Sequence, residues 1–184
     1  MTQAQTETAA NSDTGPDATG LAKSYRPAEQ EPRVRQRWDE AGCFRADPGS
    51  KAAPYSIFIP PPNVTAALHL GHALNNSLQD ALARHARMKG MDVLWMPGTD
   101  HAGIATQTVV ERRLALKGKR RTDFTREAFV EQVQAWKDEY EATILGQLRE
   151  MGASCDFSRT RFTMDPVCAA AVRSAFHQIG RAHV

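Results

Sequence analysis

Cysteine is scarce in this sequence. Cys43, Cys155 and Cys168 are the only three among 184 residues, and no two form a CxxC pair. An odd count without such a pair excludes a disulfide framework and a cysteine-rich zinc site, and makes a reducing compartment the default. Long apolar runs are missing as well: none approaches the roughly 18–20 residues of a membrane span. The first twenty residues hold no Lys, no Arg and no apolar block, so they do not read as a signal peptide. Neither sign of charge is in large excess. The formal net charge is +2, which alone points to no partner. No internal repeat is visible.

What is present fits a folded chain. Hydrophobic residues make up 41% and charged residues 24%, as in soluble globular proteins. The length allows one domain, or one domain with a tail. Residues 1–20 carry Glu7, Asp13 and Asp17 against no base and have little to bury, so they read as a disordered tail. Basic charge gathers from Glu111 to Arg126, with seven bases and two acids. With Phe124 as its one aromatic, that stretch reads as a solvated helix end in preference to a nucleic-acid surface. The three cysteines read as inert packing residues.

Periodicity supplies the elements. Val34, Trp38 and Ala41 predict a helix over 27–41, stopped by Gly42. Residues 55–59, YSIFI, predict a buried strand that ends at Pro60-Pro61-Pro62. Leu70, Leu74, Leu78 and Leu82 predict a helix over about 69–89 with an apolar stripe. Residues 92–96, DVLWM, predict a second strand. Helices follow at 103–117, at 126–151 (Phe129, Val133, Trp136, Tyr140, Ile144, Leu148 and Met151 on one side) and at 165–178, opened by Asp165-Pro166. Strand, helix and strand make a βαβ unit, which predicts a parallel sheet of the doubly wound α/β class. Ligands of such sheets sit at the carboxyl ends of the strands.

Both strands lead into loops with unusual chemistry. After the first comes PPPNVT and then His69-Leu70-Gly71-His72. Two histidines three apart share one side of a helical turn. At a helix N-terminus they join free N–H groups that favour anions. Gly71 between them leaves room for a flat ring. HxxH alone is weak evidence. A zinc site would need HExxH or a third ligand, so no metal site is read here. The second loop, LWMPGTDHAGIATQ, places Asp100 and His101 beyond a Pro-Gly turn. Asp100 could hold an ammonium group or merely cap the next helix; the residues by themselves favour the cap.

The first loop resembles the HIGH signature of class I aminoacyl-tRNA synthetases, carried here by Pro62, Asn63, Val64, Thr65, Ala66, Ala67, Leu68, His69, Leu70, Gly71 and His72. PPPNVT and GTDHAGIATQ resemble the valine-specific branch of that family, and the likeness extends over about residues 20–178. Ala66-Ala67 departs from the usual Gly-Ser, and Phe157 replaces a usual Trp. The resemblance implies a Rossmann-like catalytic core, of which residues 21–178 would be the first half. It implies catalytic roles for His69 and His72, ATP contacts from Thr65, His69, Gly71 and His72, and an amino-acid pocket from Pro62, Asn63 and Asp100. It implies ATP with Mg²⁺, valine and valine tRNA as ligands, in a cytoplasmic enzyme that is a monomer at full length. An isoleucine-specific sister is the alternative within the family, and GTDHAGIATQ speaks against it. A short nucleotide- or tRNA-binding protein without activity is the other alternative. No KMSKS-type loop, editing insertion or anticodon-binding domain occurs in the sequence. The chain is therefore expected to be inactive alone, with an unpaired strand edge and uncovered apolar faces. Residues 179–184, IGRAHV, depart from the family's apolar continuation. Back-translated they resemble the start of a sequencing adapter, and they read as a non-native read-through.

Overall fold

A computed structural model of the chain describes residues 24–182, in two units divided after Glu40. The expected tail, residues 1–20, lies outside the described residues, as do His183 and Val184 of the terminal hexapeptide. Helix α1 (Pro27–Ala41), in the first unit but for its last residue, begins on Pro27, whose fixed φ suits a first helical position. Arg26 pairs with Glu29 one turn on, at 3.3 Å.

The second unit opens with the expected βαβ motif. Strand β1 (Pro54–Phe58), helix α2 (Leu70–Met88) and strand β2 (Asp92–Met96) follow in order. The strands pair in parallel, with Tyr55 opposite Val93 and Ile57 opposite Trp95. β1 lies one residue earlier than its apolar run predicts. Ile59 still belongs to the sheet's end: it is buried and its N–H donates to Met96 O at 3.1 Å. Beyond β2 come strand β3 (Gly98–Thr99), helix α3 (Ile104–Ala115), helix α4 (Arg126–Glu150), strand β4 (Arg161–Phe162) and helix α5 (Pro166–Ala182). β3 and β4 form a second, two-residue parallel pair, too short for any pattern to show. α5 runs past the predicted residue 178 to Ala182. Among the described residues no helix is long and apolar enough to cross a membrane.

The core gathers behind the first sheet. Trp95, Val64, Ile144 and Leu148 are fully buried, with Ile59, Val93, Ala83, Ala86, Ala153 and Cys155 around them. Phe157 borders this cluster and carries the Arg149 guanidinium 4.0 Å above its ring. A smaller cluster of Val110, Leu114 and Phe129 joins α3 to α4. The turn after α4 is tied to α2 by charge. Asp80 accepts from the Ser154 N–H at 2.9 Å and pairs with Arg84 at 2.7 Å. Arg87 donates to Ser154 O at 2.8 Å.

One helix face and one expectation are decided in this frame. The apolar stripe of α2 does not face the core: Leu70 is 88% exposed, and Leu74, Leu78 and Leu82 all exceed half. α2 instead turns Asn76, Ala83 and Ala86 inward. Small residues there let the helix lie close to the sheet, where Gln79 accepts from Trp95 Nε1 at 3.1 Å. The cysteines also differ from one another. Cys155 is buried, and burial pushes its thiol well above the ordinary range, so it is inert. Cys43 is exposed and Cys168 half-buried, so packing accounts only for Cys155.

Candidate functional site

The site lies where β1 and β2 end, and backbone bonds build it. Beyond β1 the chain runs through Pro62, Asn63 and Val64; beyond β2 it runs through Thr99 and Asp100. The Asp100 N–H donates to Pro62 O at 2.8 Å, and the Val64 N–H donates to Asp100 O at 3.0 Å. Asn63 and Asp100 thereby form a parallel bridge that extends the sheet pairing into the loops. The three residues expected to make an amino-acid pocket are thus brought together. Pro62 is buried, Asn63 exposed and Asp100 half-buried.

α4 holds both loops in place. Trp136 Nε1 donates to Val64 O at 2.9 Å, and Gln147 Oε1 accepts from the Leu68 N–H at 2.8 Å. Thr99 Oγ1 donates to Glu141 Oε1 at 2.9 Å, and Glu141 pairs with Lys137 at 2.8 Å. Sequence periodicity marks Trp136 only as part of an apolar stripe. The signal for the others was their position: Glu141 and Gln147 are polar residues flanking that stripe at helical spacing.

The histidines sit at the start of α2, as their spacing implies. His69 is the N-cap, and His69 and His72 form a reciprocal capping box. The Gly71 N–H donates to His69 Nδ1 at 3.1 Å, and the His69 N–H donates to His72 Nδ1 at 3.2 Å. Each Nδ1 spends its lone pair on a backbone donor, so each neutral ring carries its proton on Nε2. The rings lie 3.9 Å apart. Partial burial, and then the neighbouring His69, hold the His72 pKa below the ordinary imidazole value. The result is a helix N-terminus with two Nε2–H donors, a suitable cradle for phosphate oxygens. Thr65 lies half-buried in the turn that follows Asn63.

The flat ring against Gly71 is His69's own. A β-carbon at Gly71 would stand 2.9 Å from His69 Cε1. Gly71→Ala is therefore expected to displace the His69 ring. Alanine's helix propensity, worth about 1 kcal/mol, offsets a lost cap of about 1 kcal/mol. The melting temperature should stay near the wild-type value while the His69 ring-proton shifts move. Unmoved shifts would show that the ring does not need the bare glycine.

The second loop settles the choice that its residues leave open. Asp100 does not cap α3. The N-cap is Gly103, with no side-chain cap bond, and Ala102 before it holds a φ of 53°, a conformation costly for a side chain. Asp100 Oδ1 instead accepts from Thr163 Oγ1 at 2.8 Å and lies 3.2 Å from His101 Nδ1. No hydrogen bond links this group to the histidine pair among the described residues.

The basic stretch is largely spent locally. Arg113 pairs with Glu139 at 2.6 Å and lies over the Trp136 ring. Arg121 pairs with Glu111 at 3.8 Å and lies over Phe129.

Comparison with known proteins places this geometry. The family model described as tRNA synthetases class I (I, L, M and V) matches residues 33–183. The valine–tRNA ligase of Rhodopirellula baltica is 57% identical over 156 residues, covering 84% of this chain and 15% of the relative. That of Geobacter sulfurreducens is 58% identical over 156 residues, covering 85% and 18%. The chain thus spans less than a fifth of the length of these curated relatives. Among solved structures, LeuRS of Agrobacterium radiobacter K84, in a ternary complex with tRNA and LeuAMS, superposes with a TM-score of 0.71 at 21% identity, covering 87% of this chain and 19% of that one. At that identity the likeness bears on fold alone. It agrees with reading the parallel α/β core as part of a Rossmann-like catalytic domain.

Proposed function

The chain belongs to the class I tRNA synthetases (I, L, M and V), and on that premise we propose that it supplies part of the catalytic core of a valine–tRNA ligase. The reaction would join valine to ATP as valyl-adenylate with release of pyrophosphate, then transfer the valyl group to valine tRNA. The observation that carries this reading is the Asn63–Asp100 bridge. It joins the PPPNVT and GTDH loops at the carboxyl ends of two parallel strands, where such folds bind ligands.

The roles in this reading are those the family resemblance implies. The Asp100 carboxylate takes the α-ammonium of valine, and Pro62 and Asn63 border the same pocket. The valine carboxylate attacks the α-phosphorus in line. His69 and His72 present Nε2–H groups to the phosphate oxygens, with Gly71 and Thr65 beside the nucleotide. Charge grows on those oxygens during attack, so donors fixed beforehand stabilise the transition state more than the ground state. Mg²⁺ would enter with ATP and neutralise phosphate charge. A cytoplasmic, monomeric enzyme goes with this reading.

The test is ATP–pyrophosphate exchange by a complete synthetase carrying this segment. Valine should support exchange and isoleucine should not at comparable concentration. Exchange driven equally by isoleucine would overturn the assignment of valine.

A further inference from the structure

No periodicity singles out Thr163, which the family likeness over residues 20–178 merely includes, yet its hydroxyl stands at the centre of the Asp100 group. A hydroxyl has one proton to donate and two lone pairs to accept with. Its three neighbours use all three. The His101 backbone N–H, 2.9 Å away, can only donate. The Asp100 carboxylate, 2.8 Å away, can only accept. That leaves one lone pair on Thr163 Oγ1 facing His101 Nδ1 at 2.7 Å. Nδ1 must therefore carry a hydrogen, which also faces Asp100 Oδ1 at 3.2 Å. In the other tautomer a bare Nδ1 lone pair would confront both oxygens.

Tertiary structure puts Thr163 there. The Thr163 N–H donates to Thr99 O at 3.1 Å, continuing the β3–β4 pair. β3 and β4 approach so closely that a β-carbon on Gly98 would stand 2.9 Å from Arg161 O. Phe162 meets the His101 ring edge-on, with centroids 6.4 Å apart. The side chains of Asp100 and His101 remain 33% and 41% exposed, so a ligand can reach them.

We propose that Thr163 is a positioning residue of the amino-group subsite. It fixes the Asp100 carboxylate and holds His101 as the Nδ1–H tautomer, leaving Asp100 Oδ2 and His101 Nε2 as two acceptors for a substrate ammonium. The part that concerns ammonium rests on the valine-activation reading above; the tautomer does not.

Long-range ¹H–¹⁵N correlation spectra of the labelled 184-residue chain test the tautomer, recorded at about pH 8, above the ordinary imidazole pKa of about 6.5. The His101 signals are identified by their loss in His101→Asn. Wild type and Thr163→Ser should show a protonated Nδ1 and a bare Nε2. Thr163→Val leaves Asp100 Oδ1, at 3.2 Å, as the one acceptor at Nδ1, so its spectra should shift measurably towards the Nε2–H form that free histidine favours. An Nε2–H pattern in wild type overturns the proposal, as does an Nδ1–H pattern left unchanged in Thr163→Val. In a complete synthetase carrying this segment, Thr163→Val should raise the KM for valine about tenfold, the scale of one hydrogen bond to a charged group. The KM for ATP should stay unchanged, and Thr163→Ser should restore the valine value. Asp100→Asn separates the two ideas. If it leaves the valine KM unmoved, the amino-group reading falls. If it raises that KM and Thr163→Val does not, the positioning role falls.

Discussion

His72→Ala is expected to slow adenylate formation in a complete synthetase by about 10²–10³-fold, the range seen when one preorganised donor to a developing charge is removed. The ring does two jobs, and they can be separated. Its Nδ1 accepts from the His69 N–H, which closes the capping box. Its Nε2 is left with the proton that would reach phosphate. Alanine removes both, and the cap alone is worth about 0.5–2 kcal/mol of stability. His72→Asn places an amide oxygen near the position of Nδ1 and nothing at Nε2. It should therefore melt near the wild-type temperature and still lose the rate. His72→Gln should do the reverse, reaching outward while leaving the cap open. Pre-steady-state pyrophosphate release, read beside thermal melts, gives both quantities. If His72→Asn keeps the wild-type rate, the ring is a cap and has no part in catalysis.

The second large effect is on folding. Trp95→Ala should destabilise the 184-residue chain by about 3–5 kcal/mol, the usual cost of emptying a buried tryptophan site. Trp95 is fully buried at the centre of the main cluster and lies opposite Ile57 in the β1–β2 register. Its ring nitrogen donates to Gln79 of α2, and its carbonyl accepts from the Asp156 N–H. One residue therefore touches strand, helix and the turn after α4. Domains of this size hold only about 5–15 kcal/mol in total, so the melting temperature should fall by about 10 °C. Trp95→Phe keeps most of the apolar volume and loses the Gln79 bond, so its loss should be clearly smaller. A Trp95→Ala chain that melts within about 2 °C of wild type would mean the core is organised around some other residue. Circular dichroism melts in a common buffer decide it.

Much of the site was legible because its signals are local. Two histidines three apart, set beyond a strand and a proline loop, could only fall at a helix start. The capping box then follows from the short reach of an imidazole to N–H groups two and three residues away. Asp100 was less legible. A carboxylate before a helix caps it more often than not, and only the Ala102–Gly103 backbone, with its left-handed φ angles, turns the chain so that Asp100 faces Thr163 instead. Thr163 is 63 residues from Asp100, and no periodicity spans that distance.

The βαβ order, the start of each long helix and the residues at the strand ends were all legible in local patterns. Those features depend on repeat spacing, proline geometry and caps, all of which act within a few residues. Which face of α2 is buried depends on packing between distant segments. Helical spacing identifies an apolar stripe but not what lies beside it. Leu70, Leu74, Leu78 and Leu82 point away from the core, while Ala83 and Ala86 meet the sheet, because close approach to β1 and β2 needs small side chains. The same holds for the β3–β4 pair. Two-residue strands carry no pattern of their own, and their pairing depends on Gly98 letting another strand come near. That contact brings Thr163 to Asp100 and His101, and the site owes its hydrogen-bond order to it.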